Sequence, residues 1–313
     1  MIPVVAGSSP VSRPIIFDND IKILAYEDIS TDIKTYFFKN GYFHNIVQIH
    51  IRYFSKASNL FLKILPKRYI WIMLKILHPT LKFGFNNEKN LFSIKENGHI
   101  HFFSSPKRGR WLYSKGLKQR GIEIAESYGI HLINFKKNDK VVDIGANYGD
   151  LTIFLNKFSN INYFAFEPDP EAFQSLIENS ISENNFKIAI SDFSGKTFFY
   201  LNPDSADSSL IQTSNCQKIE VNVSTIDDMF TGQNIKLLKV ETEGKELEVL
   251  NGSLNTLSKV EFVAIDGGTE NNNESTLGQC TNLLQSFNFE LIFLGTKGHL
   301  LTGRALFKNK NFN

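Results

Sequence analysis

Between residues 140 and 266, short apolar runs alternate with segments of helical pattern. Five runs have the length and composition of buried strands: KVVDIG (140–145), NYFAFE (162–167), FKIAIS (186–191), IKLLKVE (235–241) and VEFVAID (260–266). Near-continuous apolar strands that alternate with amphipathic helices predict an α/β fold with a mostly parallel sheet covered on both faces. The C-terminal stretch 287–309 holds two more β-rich runs around a glycine-containing loop, which predicts an antiparallel strand pair.

The preceding part of the chain has a different pattern. The sequence predicts a flexible tail over 1–20, a basic and mainly helical region over 21–90, and the α/β domain over 91–308. Within them we expect helices over 43–65, 67–77 and 111–129, and a β-hairpin over 92–103 that turns at Asn97-Gly98. The α/β fold therefore carries a mainly helical N-terminal extension.

Charge is unevenly distributed along the chain. Residues 33–87 contain nine Lys or Arg and no acidic residue, although the net charge of the whole chain is only +2. The apolar side chains of this stretch either pack on the α/β domain or, with the basic residues, rest on an anionic membrane surface. Both interpretations remain open.

Composition excludes several classes of protein. Two cysteines, far apart in the sequence, argue against a disulfide framework and against a cysteine-based zinc site, and the seven histidines show no metal-ligand spacing. No apolar run approaches the roughly 18 residues of a membrane span, and the N-terminus lacks the pattern of a secretory signal. We therefore expect a cytoplasmic protein without a bound metal, or one peripheral to the inner membrane face.

The turn after the first core strand is the candidate ligand site. Asp143, Gly145 and Gly149 lie in this turn, and Glu167 ends the next strand, 22 residues after Gly145. Glycines there let the backbone pass close to a ligand, and an acidic residue at about this offset binds ribose hydroxyls. The pattern D-x-G-x-x-x-G differs from the dinucleotide fingerprint, and an Asp in the turn would repel a pyrophosphate. S-adenosylmethionine, which carries an ammonium and a sulfonium, fits better than NAD.

A set of motifs in this order resembles the FkbM-family methyltransferases. They are VVDIGANYGD, AFEPDPEAFQSLIEN, AISDFSG, the SSL of 208–210, VSTIDDMF, LLKVETEGKELEVLNGS and FVAIDGGTE, and the resemblance spans about 108–308. It implies a class I, Rossmann-like methyltransferase fold, S-adenosylmethionine as donor, and O-methylation of hydroxyls on saccharides, glycolipid precursors or natural products. The donor-binding positions that it implies are Asp143, Gly145, Ala146, Asn147, Gly149, Glu167, Ser191 and Asp192.

The end of the fourth core strand faces the transferable methyl group in this fold. If the chain stays extended there, alternation puts Lys239, Glu241 and Glu243 on one side of the strand. Among these catalytic candidates, we expect Lys239, beside the two carboxylates, to orient the acceptor hydroxyl, and Glu241 rather than Glu243 to be the base that accepts its proton. Family members usually carry Asp where Glu241 stands, which leaves its role open. Alternatively, Lys239 and Glu243 form an ion pair at the strand–helix junction. Asp266 ends the fifth strand, where it either lines the acceptor pocket or caps a loop.

Two other functions remain possible on the sequence alone. An RNA 2′-O-methyltransferase would use the basic segment to hold phosphates, although the chain has no recognised RNA-binding motif. A non-catalytic scaffold would act through residues 33–87, but it would have no reason to keep both the Asp143 turn and Glu167. We therefore expect an O-methyltransferase with a small-molecule or glycan acceptor.

Overall fold

The computed structural model describes residues 70–72, 74–75, 78, 80–201, 216–268, 275–297 and 300–312. The predicted tail 1–20, the helix 43–65 and the SSL motif of 208–210 lie outside these residues. Within the described part, no helix is both long enough and apolar enough to cross a membrane.

The strands are β1 (Lys82–Asn86), β2 (Leu91–Glu96), β3 (His99–Phe103), β4 (Lys140–Ile144), β5 (Asn162–Phe166), β6 (Asn185–Phe186), β7 (Ala189–Ile190), β8 (Gly195–Leu201), β9 (Gln217–Ser224), β10 (Ile235–Val240), β11 (Val260–Asp266), β12 (Phe289–Lys297) and β13 (Leu300–Asn309). The helices are α1 (Pro106–Leu112), α2 (Leu117–Ser127), α3 (Leu151–Leu155), α4 (Pro170–Asn179), α5 (Ile226–Phe230), α6 (Glu246–Asn251) and α7 (Leu277–Ser286), with short 3-10 turns at Ile130–Leu132 and Leu257–Lys259.

The central sheet has the strand order β12-β13-β11-β10-β4-β5-β6. Its neighbours pair in parallel except at β13, which is antiparallel to both β11 and β12. The chain runs outward from β4 towards β6 and then from β10 towards β12, so the order reverses between β4 and β10. The mostly parallel sheet and the C-terminal antiparallel pair are therefore confirmed, and ligands bind at such a reversal point in open α/β sheets.

Alternating side chains of the central strands supply two cores. Val142 and Leu238 face the cluster that holds helices α5, α6 and α7. Val141 and Leu237 face the cluster that holds α2, α3 and α4. Each central strand is therefore buried on both faces, which explains why these strands read as continuous apolar runs.

The predicted third strand, 186–191, is wrong as a single element. Asn185–Phe186 pairs with β5 in the central sheet, whereas Ala189–Ile190 pairs with β9 in a separate sheet of order β7-β9-β8. The apolar pattern is continuous because both ends are buried, but in different sheets. The predicted helix over 111–129 is also two helices, since Gly116 adopts a left-handed φ of 91° between α1 and α2.

The hairpin over 92–103 is confirmed as strands β2 and β3, and both turn residues, Asn97 and Gly98, have positive φ. A third strand, β1, pairs antiparallel with β2 and was not predicted. This pairing crosses residue 90, where we expected the α/β domain to begin. Ile70 and Leu74, from the expected helix over 67–77, are buried against the same sheet with Phe83.

Candidate active site

A cavity of about 860 Å³ lies at the carboxyl ends of β4, β5 and β10. Its walls include the turn after β4, the start of α4, residues 188–190 and the loop after β10. Helices α1 and α2 close another side with Lys107, Arg108, Trp111 and Arg120. The cavity therefore sits where the strand order reverses, and the N-terminal part of the described chain contributes to it.

Gly145 is required by a close approach of two backbone segments. It has a φ of 71°, and a Cβ at this position would lie 1.8 Å from the Glu241 carbonyl oxygen. The amides of Gly145 and Ala146 both donate to the Phe166 carbonyl, and the Glu241 amide donates to that of Ile144. The expectation that this glycine makes room for a ligand is therefore corrected, because the space is filled by the end of β10.

A glycine is required at position 149 for a similar reason. Its φ is 78°, and a Cβ would lie 2.9 Å from Leu176 Cδ1 on α4. Asn147, between the two glycines, has a φ of 51°, a conformation that Asn tolerates better than most residues. Its side-chain Oδ1 is buried and has no hydrogen-bond partner among the described residues. Asn147, rather than either glycine, therefore offers a polar group to a ligand.

Glu167 is fixed by backbone amides. Its side-chain Oε2 accepts a hydrogen bond from the Asn147 amide (2.8 Å), and Oε1 accepts one from the Asp169 amide (2.9 Å). The side chain is buried, and burial raises its pKa to about 7 even though both amides favour the charged form. A carboxylate offers about four acceptor positions, so this one retains capacity for ligand hydroxyls.

Ser191 and Asp192 do not line the cavity, although both were expected to contact the donor. Ser191 is buried in the backbone junction with β9, where its amide donates to the Ser224 carbonyl. Asp192 is exposed and accepts the Ser191 hydroxyl. The preceding residues Ile188, Ala189 and Ile190 line the cavity instead, because the chain leaves the central sheet after Phe186.

Asp143 and Lys239 form a buried ion pair across two parallel strands. They are register partners on β4 and β10, and Lys239 Nζ lies 3.0 Å from Asp143 Oδ1. Their outer partners in the same row are Ala165 and Ala264, whose small side chains leave room for the pair. Tyr163 donates to the second oxygen of Asp143 at 2.7 Å. Lys239 is thus fixed by the sheet, which differs from the expectation that it orients an acceptor hydroxyl.

Glu241, Arg304 and Asp266 extend the Asp143–Lys239 pair into a chain of ion pairs, which we call the charge row. One carboxylate oxygen of Glu241 lies 2.9 Å from Lys239 Nζ, and the other lies 3.4 Å from Arg304 Nη2 on β13. Burial would raise the pKa of Glu241, but the charges of Lys239 and Arg304 lower it to about 2. Burial likewise would lower the pKa of Lys239, yet Asp143 and Glu241 raise it. The two groups are therefore charged at neutral pH, and Glu241 is a weak proton acceptor.

Glu243 does not continue the alternation. Strand β10 ends at Val240, and Glu243 has a φ of 52°. The loop is held by Glu246, a fully buried residue that the sequence analysis missed: its Oε1 accepts the amides of Thr242 and Gly244. Glu241, Glu243 and Lys239 all line the cavity, but the structure pairs Lys239 with Asp143 and Glu241.

Asp266 lies at the far end of the charge row. Its Oδ2 accepts a hydrogen bond from Arg304 Nε at 2.7 Å, and the Tyr128 hydroxyl lies 3.4 Å from the same oxygen. Asp266 is not among the residues that line the cavity. Its observed contact is therefore with Arg304, and neither the acceptor-pocket role nor the loop-capping role follows from its position.

Residues 143–291, just under half of the chain, match the sequence profile of the methyltransferase FkbM domain. This part of the chain is an FkbM methyltransferase domain. Its strand order and its cavity agree with the class I, Rossmann-like methyltransferase fold that the motifs implied. The β4 turn, Glu167 and the charge row all lie within this FkbM domain, except for Arg304.

Two methyltransferases match part of this chain. The hexuronic acid methyltransferase AglP of Haloferax volcanii is 31% identical over 138 residues, 42% of this chain and 56% of AglP. The 2-O-methyltransferase NoeI of Sinorhizobium fredii is 27% identical over 198 residues, 56% of this chain and 81% of NoeI. The match thus spans little more than half the length of the first of them.

Solved structures resemble the chain only loosely. TYW2 of P. horikoshii, solved with MeSAdo, aligns with a TM-score of 0.39 and 12% identity over 77% of this chain and 80% of that one. Because this TM-score is below 0.5, the fold assignment rests on the strand order and on the FkbM domain.

Proposed function

We propose that this protein is an S-adenosylmethionine-dependent O-methyltransferase whose acceptor is a hydroxyl of a saccharide, a glycolipid precursor or a natural product. The observation that carries the proposal is the position of Glu167. Two backbone amides hold its carboxylate at the carboxyl end of β5, inside the cavity at the reversal of strand order. The names of the two relatives, which describe a hexuronic acid and a 2-O position, support an oxygen acceptor on a sugar.

The residues around Glu167 suit this donor. Asn147 presents a buried oxygen without a hydrogen-bond partner among the described residues, and the donor's ribose hydroxyls and ammonium are all hydrogen-bond donors. Glu167 would hold the ribose hydroxyls, and Ile188, Ala189 and Ile190 offer an apolar wall for the adenine. The bound donor would supply a methyl group on a sulfonium, which is lost to an oxygen nucleophile.

Within the charge row, Glu241 orients the acceptor hydroxyl and does not remove its proton. Because Lys239 and Arg304 hold Glu241 ionised, its carboxylate can accept a hydrogen bond from an acceptor hydroxyl and fix the direction of that oxygen. This differs from the expected role of Glu241 as the general base. Glu243 lines the same cavity close to the end of β10 and is another carboxylate there that can take the proton.

Calorimetry with S-adenosylhomocysteine tests the donor assignment. The wild-type protein is expected to bind it, and to bind NAD weakly or not at all. Glu167→Ala should weaken binding by about 1–3 kcal/mol, because ribose hydroxyls then lose a buried acceptor. Tight binding of NAD with no binding of S-adenosylhomocysteine would contradict the proposal.

Location at an anionic inner membrane face stays a proposal that concerns residues 33–87. Its support is the excess of basic residues there. Ile70 and Leu74 are buried in the protein, so neither contributes to a lipid-facing surface. Sedimentation of the full chain with anionic and neutral liposomes tests it, and equal recovery in both pellets would contradict it.

A further inference from the structure

Arg120 on α2 has a position that the proposed reaction does not explain. Its side chain is only 18% exposed and lines the cavity, and its Nε donates to Asp150 Oδ2 at 2.7 Å. The guanidinium group is therefore held by the protein at Nε, and the residue that carries it lines the cavity.

The partner of Arg120 is itself immobilised. Asp150 is buried, and its Oδ1 accepts the Tyr113 hydroxyl at 2.7 Å and lies 2.8 Å from His101 Nε2. Burial alone would raise the pKa of Asp150, but Arg120 and His101 lower it far below its usual range. Both oxygens of Asp150 are thus engaged, and the carboxylate fixes the plane and direction of the Arg120 side chain.

Most hydrogen-bonding capacity of Arg120 remains unused within the described residues. A guanidinium has five N–H donors, and only the one on Nε forms a hydrogen bond to the protein there. The four N–H bonds on Nη1 and Nη2 form the planar fork that matches a carboxylate.

We propose that Arg120 is a carboxylate-binding residue of this cavity and that it holds a ligand carboxylate end-on through Nη1 and Nη2. The inference rests on the proposed function, because that function brings two carboxylates to the cavity. One is the amino-acid carboxylate of the methyl donor. The other is the carboxylate of a uronic acid acceptor. The same fork recognises either of them.

Binding measurements with two nucleosides test whether Arg120 holds the amino-acid carboxylate of the methyl donor. S-adenosylhomocysteine carries the amino-acid carboxylate, whereas 5′-methylthioadenosine lacks the whole amino-acid end. If Arg120 holds the donor carboxylate, Arg120→Gln should weaken S-adenosylhomocysteine by about 10- to 100-fold, the usual loss for charged hydrogen bonds, and leave 5′-methylthioadenosine unchanged.

Binding measurements with two saccharides test whether Arg120 holds the carboxylate of a uronic acid acceptor. Methyl glucuronide and methyl glucoside differ at the carboxylate, and their binding is followed by NMR with and without S-adenosylhomocysteine. If Arg120 holds an acceptor carboxylate, Arg120→Gln should abolish the preference for the glucuronide and leave S-adenosylhomocysteine affinity unchanged.

Two further variants keep the result interpretable. Arg120→Lys keeps a positive charge beside Asp150 but loses the fork, so its binding loss should be intermediate, and it carries the test if Arg120→Gln unfolds. Lys115→Gln removes a positive charge from an exposed pair with Glu123 and should change no affinity.

Unchanged affinity for both S-adenosylhomocysteine and the glucuronide in folded Arg120 variants would overturn the inference while the proposed function stands. A wild-type protein that binds neither nucleoside would overturn the proposed function. In that case only the saccharide measurement tests the role of Arg120. A wild-type protein that binds methyl glucuronide no better than methyl glucoside would then overturn that role as well.

Discussion

Two carboxylates at the same edge of the sheet are built in opposite ways. Glu167 ends β5 and is held by two neutral backbone amides, so burial dominates and raises its pKa to about 7. Glu241 follows β10 and lies between two full positive charges, so its pKa falls to about 2 despite burial. Neutral amides position a carboxylate but bring no positive charge that keeps it ionised, whereas neighbouring cations do keep it ionised.

The two regions also differ in how far along the chain their parts lie. The partners of Glu167 are at positions 147 and 169, within one strand–turn–helix unit. The row Asp143, Lys239, Glu241, Arg304 and Asp266 draws on β4, β10, β11 and β13. The first region therefore depends on local chain geometry, and the second depends on the complete sheet.

The largest loss of stability is expected at Gly145, where the turn beside Glu167 contacts the backbone of the charge row. In Gly145→Ala, the new methyl group meets the Glu241 carbonyl at 1.8 Å, and the φ of 71° is strained for any L side chain. Both costs lie at the upper end of their ranges, so urea unfolding should show a loss of about 4–6 kcal/mol. Gly232→Ala is the matched control, because its φ is 79° but nothing lies within 4 Å of the new Cβ. Equal losses in the two variants would contradict the backbone contact.

Lys239→Met tests the charge row directly. It leaves the buried Asp143 and the partly buried Glu241 without the cation between them, and breaking a buried pair in this way costs about 3–5 kcal/mol. Lys236→Met, on the same strand, removes one partly buried pair with Glu261 and should cost about 1 kcal/mol. Chemical denaturation of both variants measures the difference, and a Lys239 variant as stable as the Lys236 variant would show that the row is not essential to the fold.

Stability against pH distinguishes Glu167 by sign. Its folded pKa of about 7 lies above the ordinary value of 4.5, so the stability that it contributes is complete below pH 4.5 and is lost as pH rises through 7. The unfolding free energy of the wild type, relative to Glu167→Gln, should therefore fall by about 3 kcal/mol between pH 4.5 and pH 8. Parallel curves for the two proteins would contradict the raised pKa.

The smallest effect is expected for the ionised carboxylate of the charge row. If Glu241 orients the acceptor without taking its proton, Glu241→Gln should lower methyl transfer by less than about tenfold, whereas loss of a general base costs about 10²–10⁴-fold. Transfer of labelled methyl from S-adenosylmethionine to a saccharide acceptor measures this, with Glu243→Gln compared in parallel. A loss of a hundredfold or more in Glu241→Gln alone would restore its role as the base.

The fold was predictable in outline because its signals are local. The apolar runs of β4, β5, β10 and β11 each stand out in a few residues, and the Asn97-Gly98 pair specified its hairpin. The error over 186–191 has the same origin, since burial of both halves looks alike whether they join one sheet or two. Strand β1 was missed within the stretch that we assigned to helices.

The candidate site was predictable only in part. The motif around Asp143 and the offset to Glu167 placed the turn after β4 and Glu167 in the cavity, because both follow strands directly in the chain. Arg120 carried no such signal, although its partner Asp150 ends the same motif, because the two are brought together only by the packing of α2 on α3.

By itself, the sequence determined the alternating strands and helices, the turn after β4 and the acidic residue after β5, since hydrophobic periodicity and glycine placement act over short distances. Only the tertiary structure decided that Gly145 faces the backbone of Glu241, that Lys239 lies beside Asp143, and that Arg304 reaches Glu241. Those contacts join residues 60 to 100 positions apart or adjacent strands of a sheet. Their energies depend on strand register and on exclusion of water, which no local pattern in the chain encodes.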